Sequence, residues 1–158
     1  MRIMLNGWET GIRFVAGHFL PSIEKCSRLH GHNYAVLIEI EGEPGPDGII
    51  IDFISVKEAA HAIVQRIDHR MILPSSGASM EVALKEGHYA VSFNGKNYLF
   101  PSGDVAVIPV DNVSAENLSR YFLAEIVRSG IFGDNVTRVA VGVAEGRGQE
   151  AWSEEMLK

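Results

Sequence analysis

The residues best suited to chemistry lie in one short stretch, Cys26-Ser27-Arg28-Leu29-His30-Gly31-His32. In an extended backbone, His30 and His32 point to the same face of a strand, about 6.6 Å apart along it, so both imidazoles can chelate one ion. His18 is the natural third ligand, because it ends an earlier strand that antiparallel pairing would bring alongside. Three neutral imidazoles and an open coordination position describe a catalytic zinc site.

Two alternatives stay open at this point. An H-x-H pair alone is weak evidence for a metal, and His18 is assigned only through the expected strand pairing. Cys26, the single cysteine of the chain, could be buried filler, a reactive thiol or a fourth metal ligand. The last choice would give a closed, structural zinc site with no room for substrate.

Three further positions carry titratable groups of interest. In Asp68-His69, a carboxylate beside an imidazole can fix its tautomer and raise its basicity, although a His at a helix C-terminus also interacts well with the dipole. Glu145 ends an apolar strand and could face a pocket or simply mark where the strand reaches solvent. Glu116 lies in the first turn of a predicted helix, where negative charge is favourable anyway.

The charge and hydropathy of the chain exclude several classes of function. The formal net charge of −6 over 158 residues argues against nucleic-acid binding, which needs clustered Lys and Arg. No apolar run approaches the roughly 20 residues of a membrane span, and the start lacks the regions of a signal peptide. A cytoplasmic, single-domain protein is therefore expected.

Hydrophobic periodicity predicts grouped strands and two helices. The second helix begins after Ser114, its N-cap, and the first carries Ser55–Glu58 as a capping box. Between the helices, Asn94-Gly95 predicts a type I′ hairpin within a β insertion at about 74–110. Grouped hairpins indicate an α+β fold with an antiparallel sheet. The predicted elements are strands 12–19, 33–41, 89–93, 96–100, 105–110, 136–145 and 149–155 and helices 54–67 and 114–128.

The motifs together resemble the 6-pyruvoyl-tetrahydropterin synthase and 6-carboxytetrahydropterin synthase family. The resemblance holds over nearly the whole chain except the insertion. The matching stretches are Phe14-Val15-Ala16-Gly17-His18, Cys26-x3-His30-Gly31-His32-Asn33-Tyr34, Gly48–Phe53, Asp68-His69, Ser114-Ala115-Glu116-Asn117 and Glu145.

The resemblance implies a tunnelling fold (T-fold), in which two helices pack on one face of a four-stranded antiparallel sheet. It also implies a hexamer made of two trimers, with active sites between subunits. The implied zinc ligands are His18, His30 and His32. Cys26 would be the catalytic thiol, Asp68 and His69 a catalytic pair, and Glu145 the anchor of a pterin substrate, with Glu116 as a further candidate for substrate binding.

The resemblance also suggests a reaction. The short Cys26-x3-His30 spacing resembles the branch that makes 6-carboxytetrahydropterin from 7,8-dihydroneopterin triphosphate, for 7-deazaguanine and queuosine synthesis. The alternatives are 6-pyruvoyl-tetrahydropterin synthesis and a pterin aldolase-like activity. Members that release the whole side chain for folate synthesis tend to have glutamate in the thiol's place; Cys26 argues against this interpretation, although Glu24 lies close by. Two departures from the family pattern are Val113-Ser114 for Pro-Thr and Glu145-Gly146 for Glu-Thr.

Overall fold

The computed structural model describes all residues from Met1 to Lys158. It contains three α-helices and ten strands, and no helix is long and apolar enough to cross a membrane. In chain order they are β1 (Arg2–Leu5), α1 (Gly7–Thr10), β2 (Arg13–His18), β3 (His30–Gly42), α2 (Phe53–Val64), β4 (Arg70–Pro74), β5 (Glu81–Lys85), β6 (His88–Phe93), β7 (Lys96–Pro101), β8 (Val105–Ile108), α3 (Ala115–Arg128), β9 (Val136–Ala144) and β10 (Glu150–Met156).

The main sheet is mixed and has seven strands in the order β10-β9-β3-β2-β4-β8, with β1 also paired to β3. The four antiparallel strands expected from the sequence form one side of it, β10-β9-β3-β2. The prediction of a purely antiparallel, four-stranded sheet is wrong, because β4 and β8 continue the sheet in parallel beyond β2. Both are short, and their pairing is decided by the path of the chain over α2 and the insertion.

Two strands that follow one another in the sequence, β1 and β2, pair with the same edge of the long strand β3. β1 pairs with its second half and β2 with its first half, and the short α1 turn lies between them. Gly7 lies in this turn where the chain passes close to β3. A Cβ atom at Gly7 would lie only 2.2 Å from the Val36 carbonyl oxygen. A side chain at Gly7 would therefore force β2 away from β3, and β2 carries His18.

The core lies between this sheet and the two longer helices. Alternate residues of β3, from Tyr34 to Ile40, are fully buried in one cluster with the apolar stripes of α2 and α3. Ser114 caps α3 as predicted, accepting from the Asn117 N–H. The capping box predicted at Ser55 is wrong: α2 begins at Phe53, and Asp52 accepts from the Ile54 and Ser55 N–H groups. A carboxylate with two backbone donors makes the stronger cap.

The insertion forms a separate antiparallel sheet, β5-β6-β7. The hairpin at Asn94-Gly95 is confirmed, and both residues have the positive φ angles, 48° and 73°, of a type I′ turn. Residues 105–110, predicted as a strand within the insertion at about 74–110, do not join this sheet. That segment, β8, pairs with β4 in the main sheet, and β5 takes the place beside β6.

Candidate metal centre and active site

The pairing of β2 with β3 brings three histidines together. His18 lies opposite His30 and two residues from the partner of His32 in the antiparallel register. The nitrogen atoms that could bind a metal all lie within 4.8 Å of one another. His18 is only 1% exposed, whereas His30 and His32 are half-buried. The cluster therefore has a closed side at His18 and an accessible side at the β3 histidines.

Backbone carbonyls fix the orientation of two of these rings. His18 Nδ1 lies 2.6 Å from the Val113 oxygen, and His30 Nδ1 lies 2.7 Å from the Arg28 oxygen. A carbonyl only accepts hydrogen bonds, so each Nδ1 carries the proton and donates it. The Nε2 atoms of His18 and His30 are then lone-pair acceptors, and both are buried without a partner. That is the tautomer and orientation in which imidazoles bind a metal, so the residues present fit zinc.

The electrostatics favour the neutral form of the most buried histidine. The pKa of His18 is lowered to about 4, chiefly by burial and also by the neighbouring His30 and His32, while the hydrogen bond to the Val113 carbonyl opposes the shift. His18 is therefore uncharged near neutral pH, which is the state required of a metal ligand.

Glu145 and Tyr34 extend the site on the β9 side. Glu145 follows Ala144, which pairs with Ala35 of β3, so Glu145 lies next to Tyr34 across the sheet. Burial and then the charge of Glu145 raise the pKa of the Tyr34 phenol, which keeps it protonated. The Tyr34 hydroxyl and Glu145 Oε1 are both buried without a partner. They offer a donor and an acceptor to a bound molecule.

Sequence reasoning did not single out Tyr34 as a site residue. Its ring packs edge-on against His32 at 5.5 Å and is stacked on Phe14 at 4.6 Å. A signal was present in the sequence, since Tyr34 continues the two-residue spacing of His30 and His32 on one face of β3. The Val113 and Arg28 carbonyls, by contrast, could not have been identified from residue types.

The Asp68-His69 pair is attached to the outer edge of β2. His69 Nδ1 lies 2.9 Å from Asp68 Oδ2, and the Val15 N–H donates to Asp68 Oδ1 at 2.9 Å. Burial tends to raise the pKa of Asp68, but the Val15 and His69 hydrogen bonds outweigh it and hold the pKa below its usual range. Because α2 already ends at Val64, the helix-dipole explanation for His69 does not apply.

A cavity of about 360 Å³ lies beside this pair. Its lining includes Trp8, Phe14, Tyr34, Asp68 and His69. Phe14 and Tyr34 are almost fully buried, so accessible groups come from residues such as Trp8, Asp68 and His69, and the three histidines and Glu145 are not part of the lining. The lining thus joins residues that are distant in sequence, from Trp8 before β2 to His69 after α2.

Cys26 and Glu116 lie outside the histidine cluster. Cys26 is a free, half-buried thiol on the loop between β2 and β3, and it is not among the clustered ligand atoms. The closed arrangement of one thiolate and three imidazoles is therefore not formed in this structure. Glu116 is in the first turn of α3, and its role in substrate binding stays a prediction.

Fold and site together define an α+β enzyme built around a candidate three-histidine metal centre. A sequence model of the 6-pyruvoyl tetrahydropterin synthase family matches residues 9–155, and the chain belongs to that family of lyases. The chain is 30% identical to a protein of Methanocaldococcus jannaschii, provisionally named 6-carboxy-5,6,7,8-tetrahydropterin synthase, over 100% of this chain and 99% of the relative.

Two further similarities agree with this family. A protein of Pyrococcus abyssi with the same provisional name is 36% identical over 84% of this chain and 79% of its own length. The structure of 6-pyruvoyltetrahydropterin synthase from Plasmodium vivax, a variant with a substituted catalytic residue, superposes with a TM-score of 0.90 at 24% identity, covering 99% of this chain and 98% of that one. The second similarity shows that the two chains share a fold.

Proposed function

We propose that this chain is a zinc-dependent 6-carboxy-5,6,7,8-tetrahydropterin synthase acting on 7,8-dihydroneopterin triphosphate, in a route to 7-deazaguanine nucleosides such as queuosine. The observation that carries the proposal is the convergence of unpartnered polar atoms. The buried side-chain atoms without a hydrogen-bond partner are the Nε2 atoms of His18 and His30, the Tyr34 hydroxyl and Glu145 Oε1. Leaving such atoms unpaired is costly, and a metal plus a polar substrate would satisfy all of them.

His18, His30 and His32 would hold the zinc, which when bound supplies Lewis acidity to the hydroxyl groups of the substrate side chain. The other assignments concern the chain's own groups. Glu145 would accept hydrogen bonds from the amino and imino groups of the pterin ring and fix its position. The Tyr34 hydroxyl, whose pKa is raised by burial and by the charge of Glu145, would donate to the same ring.

Two groups would move protons. In its thiolate form, Cys26 would remove a proton from the side-chain carbon next to the ring, and triphosphate would leave by elimination. His69, oriented by the Asp68 carboxylate at 2.9 Å, would exchange protons on the other side of the substrate. Addition of one water molecule to the remaining side chain and cleavage of its C1′–C2′ bond would complete the reaction, giving 6-carboxytetrahydropterin and acetaldehyde.

Product analysis by mass spectrometry tests this assignment directly. Zinc-loaded protein incubated with 7,8-dihydroneopterin triphosphate is expected to release triphosphate and acetaldehyde and to accumulate 6-carboxytetrahydropterin. Protein treated with a chelator serves as the control. Accumulation of 6-pyruvoyl-tetrahydropterin would contradict the proposed product, and release of the whole side chain would instead support an aldolase activity.

We also propose that the chain acts as one tetrahydropterin synthase-like domain within a hexamer. β10 and β8 are the edge strands of the main sheet, and exposed edges tend to pair with other chains. Light scattering at micromolar concentration is expected to give the mass of a hexamer. A monomer under these conditions would contradict the proposed assembly.

A further inference from the structure

The insertion packs against the loop that carries Cys26. Phe19, the residue after His18, is 1% exposed in a second apolar cluster with residues of the insertion such as Val91 and Phe93. Its ring lies 4.7 Å from that of Tyr98 and 5.0 Å from that of Phe93, centroid to centroid. The loop between β2 and β3, which carries Cys26, therefore begins at Phe19, a residue held in place by its packing against the insertion.

The tip of the β6–β7 hairpin also contacts the loop through polar groups. Lys96 Nζ donates to the Ser27 carbonyl oxygen at 2.7 Å and lies 3.1 Å from Ser27 Oγ. Asn94 Nδ2 donates to the Pro21 carbonyl oxygen at 2.8 Å. The type I′ turn places these two donors on either side of Gly95. One hairpin tip thus holds the loop near both of its ends.

These contacts act on a compact loop. The Leu20 N–H donates to the Cys26 carbonyl at 2.8 Å, and the Ser27 N–H donates to the Ile23 carbonyl at 2.7 Å. Ser27 is 9% exposed, so its carbonyl has little access to water and depends on the ammonium. Hydrogen bonds to a charged donor are the stronger kind, and Lys96 makes this one directly beside Cys26.

We propose that the insertion is a clamp that positions the Cys26 thiol, with Lys96 as the principal positioning residue and Asn94 as the second. This proposal rests on the proposed function, in which Cys26 moves a proton. Lys96 acts through the loop backbone. Such a role matters because a displacement of about 1 Å at a reacting group can lower the rate about 100-fold.

Lys96→Met tests the clamp, because methionine keeps an apolar stem near the Phe93 ring, over which the ammonium lies at 5.5 Å. We expect kcat to fall about 10- to 100-fold with KM within about two-fold, since the pterin pocket is untouched. Zinc content should stay unchanged. Lys96→Arg should restore most of kcat, because guanidinium also donates charged hydrogen bonds.

A second readout reports on the loop without reference to activity. Lys25 and Arg28 are exposed trypsin sites on the loop, and nicking concentrates in loops that open. Lys96→Met should raise the rate of cleavage at these sites at least about five-fold. The control is Lys85→Met, an exposed position at the end of β5 in the same insertion, which should match the wild type.

Asn94→Gly provides an independent variant, since glycine accepts the positive φ angle at this turn position while losing the amide donor. Like Lys96→Met, Asn94→Gly should lower kcat and raise the rate of cleavage. Wild-type kcat and wild-type cleavage in both variants would overturn the clamp. Faster cleavage with wild-type kcat would also overturn it, because the loop would then open without affecting the thiol. If the protein makes no carboxytetrahydropterin at all, the cleavage assay still reports on the contacts, so the two failures are distinguishable.

Discussion

Replacing His30 and His32 together by alanine is expected to remove the zinc and to lower activity at least about 1,000-fold. Only His18 would remain of the three clustered imidazoles, and one ligand cannot hold zinc in a site that normally needs three protein groups. The loss of rate follows because a metal contributes several kcal/mol to transition-state stabilisation in sites of this type. Metal analysis of the purified variant beside its turnover measures both effects.

The matched control is His88→Ala. His88 is exposed at the start of β6, where its Nδ1 contacts the Glu86 carbonyl, far in sequence from the cluster. It should retain one zinc per chain and wild-type turnover. Full zinc occupancy in the double variant at His30 and His32 would refute the assignment of the metal ligands.

Replacing Cys26 by alanine is expected to lower turnover by about 100- to 10,000-fold, the usual range for a lost general base, while zinc stays bound. Two observations favour this outcome over a structural role. Three imidazoles already form the cluster of potential ligands, and the thiol lies outside it on a loop. Zinc content, melting temperature and kcat of Cys26→Ala should be measured on the same preparation.

A fourth-ligand role for Cys26 gives the opposite pattern. Structural zinc contributes folding energy directly, so the alanine variant would then lose metal and melt at a lower temperature. Cys26→Ser is the informative companion, because it nearly keeps the size of the side chain and replaces the thiol by a hydroxyl that does not ionise near neutral pH. Loss of metal from both variants would move Cys26 into the coordination shell.

Much of the fold could be predicted because its signals are local. The two-residue alternation of a strand and the 3.6-residue period of a helix are fixed by backbone geometry, so β2, β3, β9 and α3 could be identified from residue order alone. The hairpin at Asn94-Gly95 follows from the same logic, since both turn residues must adopt positive φ angles. The placement of His30 and His32 on the same face of β3 is likewise a local signal, because it follows from their two-residue spacing.

The start of α2 shows where local signals compete. Both Asp52 and Ser55 are good N-cap residues, and the sequence does not say which one the helix uses. In the structure, Asp52 accepts from two backbone N–H groups and from the Ser55 hydroxyl. The tertiary structure, in which the helix begins at Phe53, decides between the two caps.

By itself, the sequence determined the antiparallel part of the sheet, the two long helices, the histidine-bearing strands and the family to which they belong. The tertiary structure alone decided the parallel additions β4 and β8, the Val113 carbonyl that orients His18 from 95 residues away, and the Lys96 contact that reaches Ser27 across 69 residues. The physical reason is that hydrophobic periodicity depends only on residues within one helix or strand. A carbonyl or an ammonium that meets its partner across the fold depends on the path of the whole chain, which no local pattern encodes.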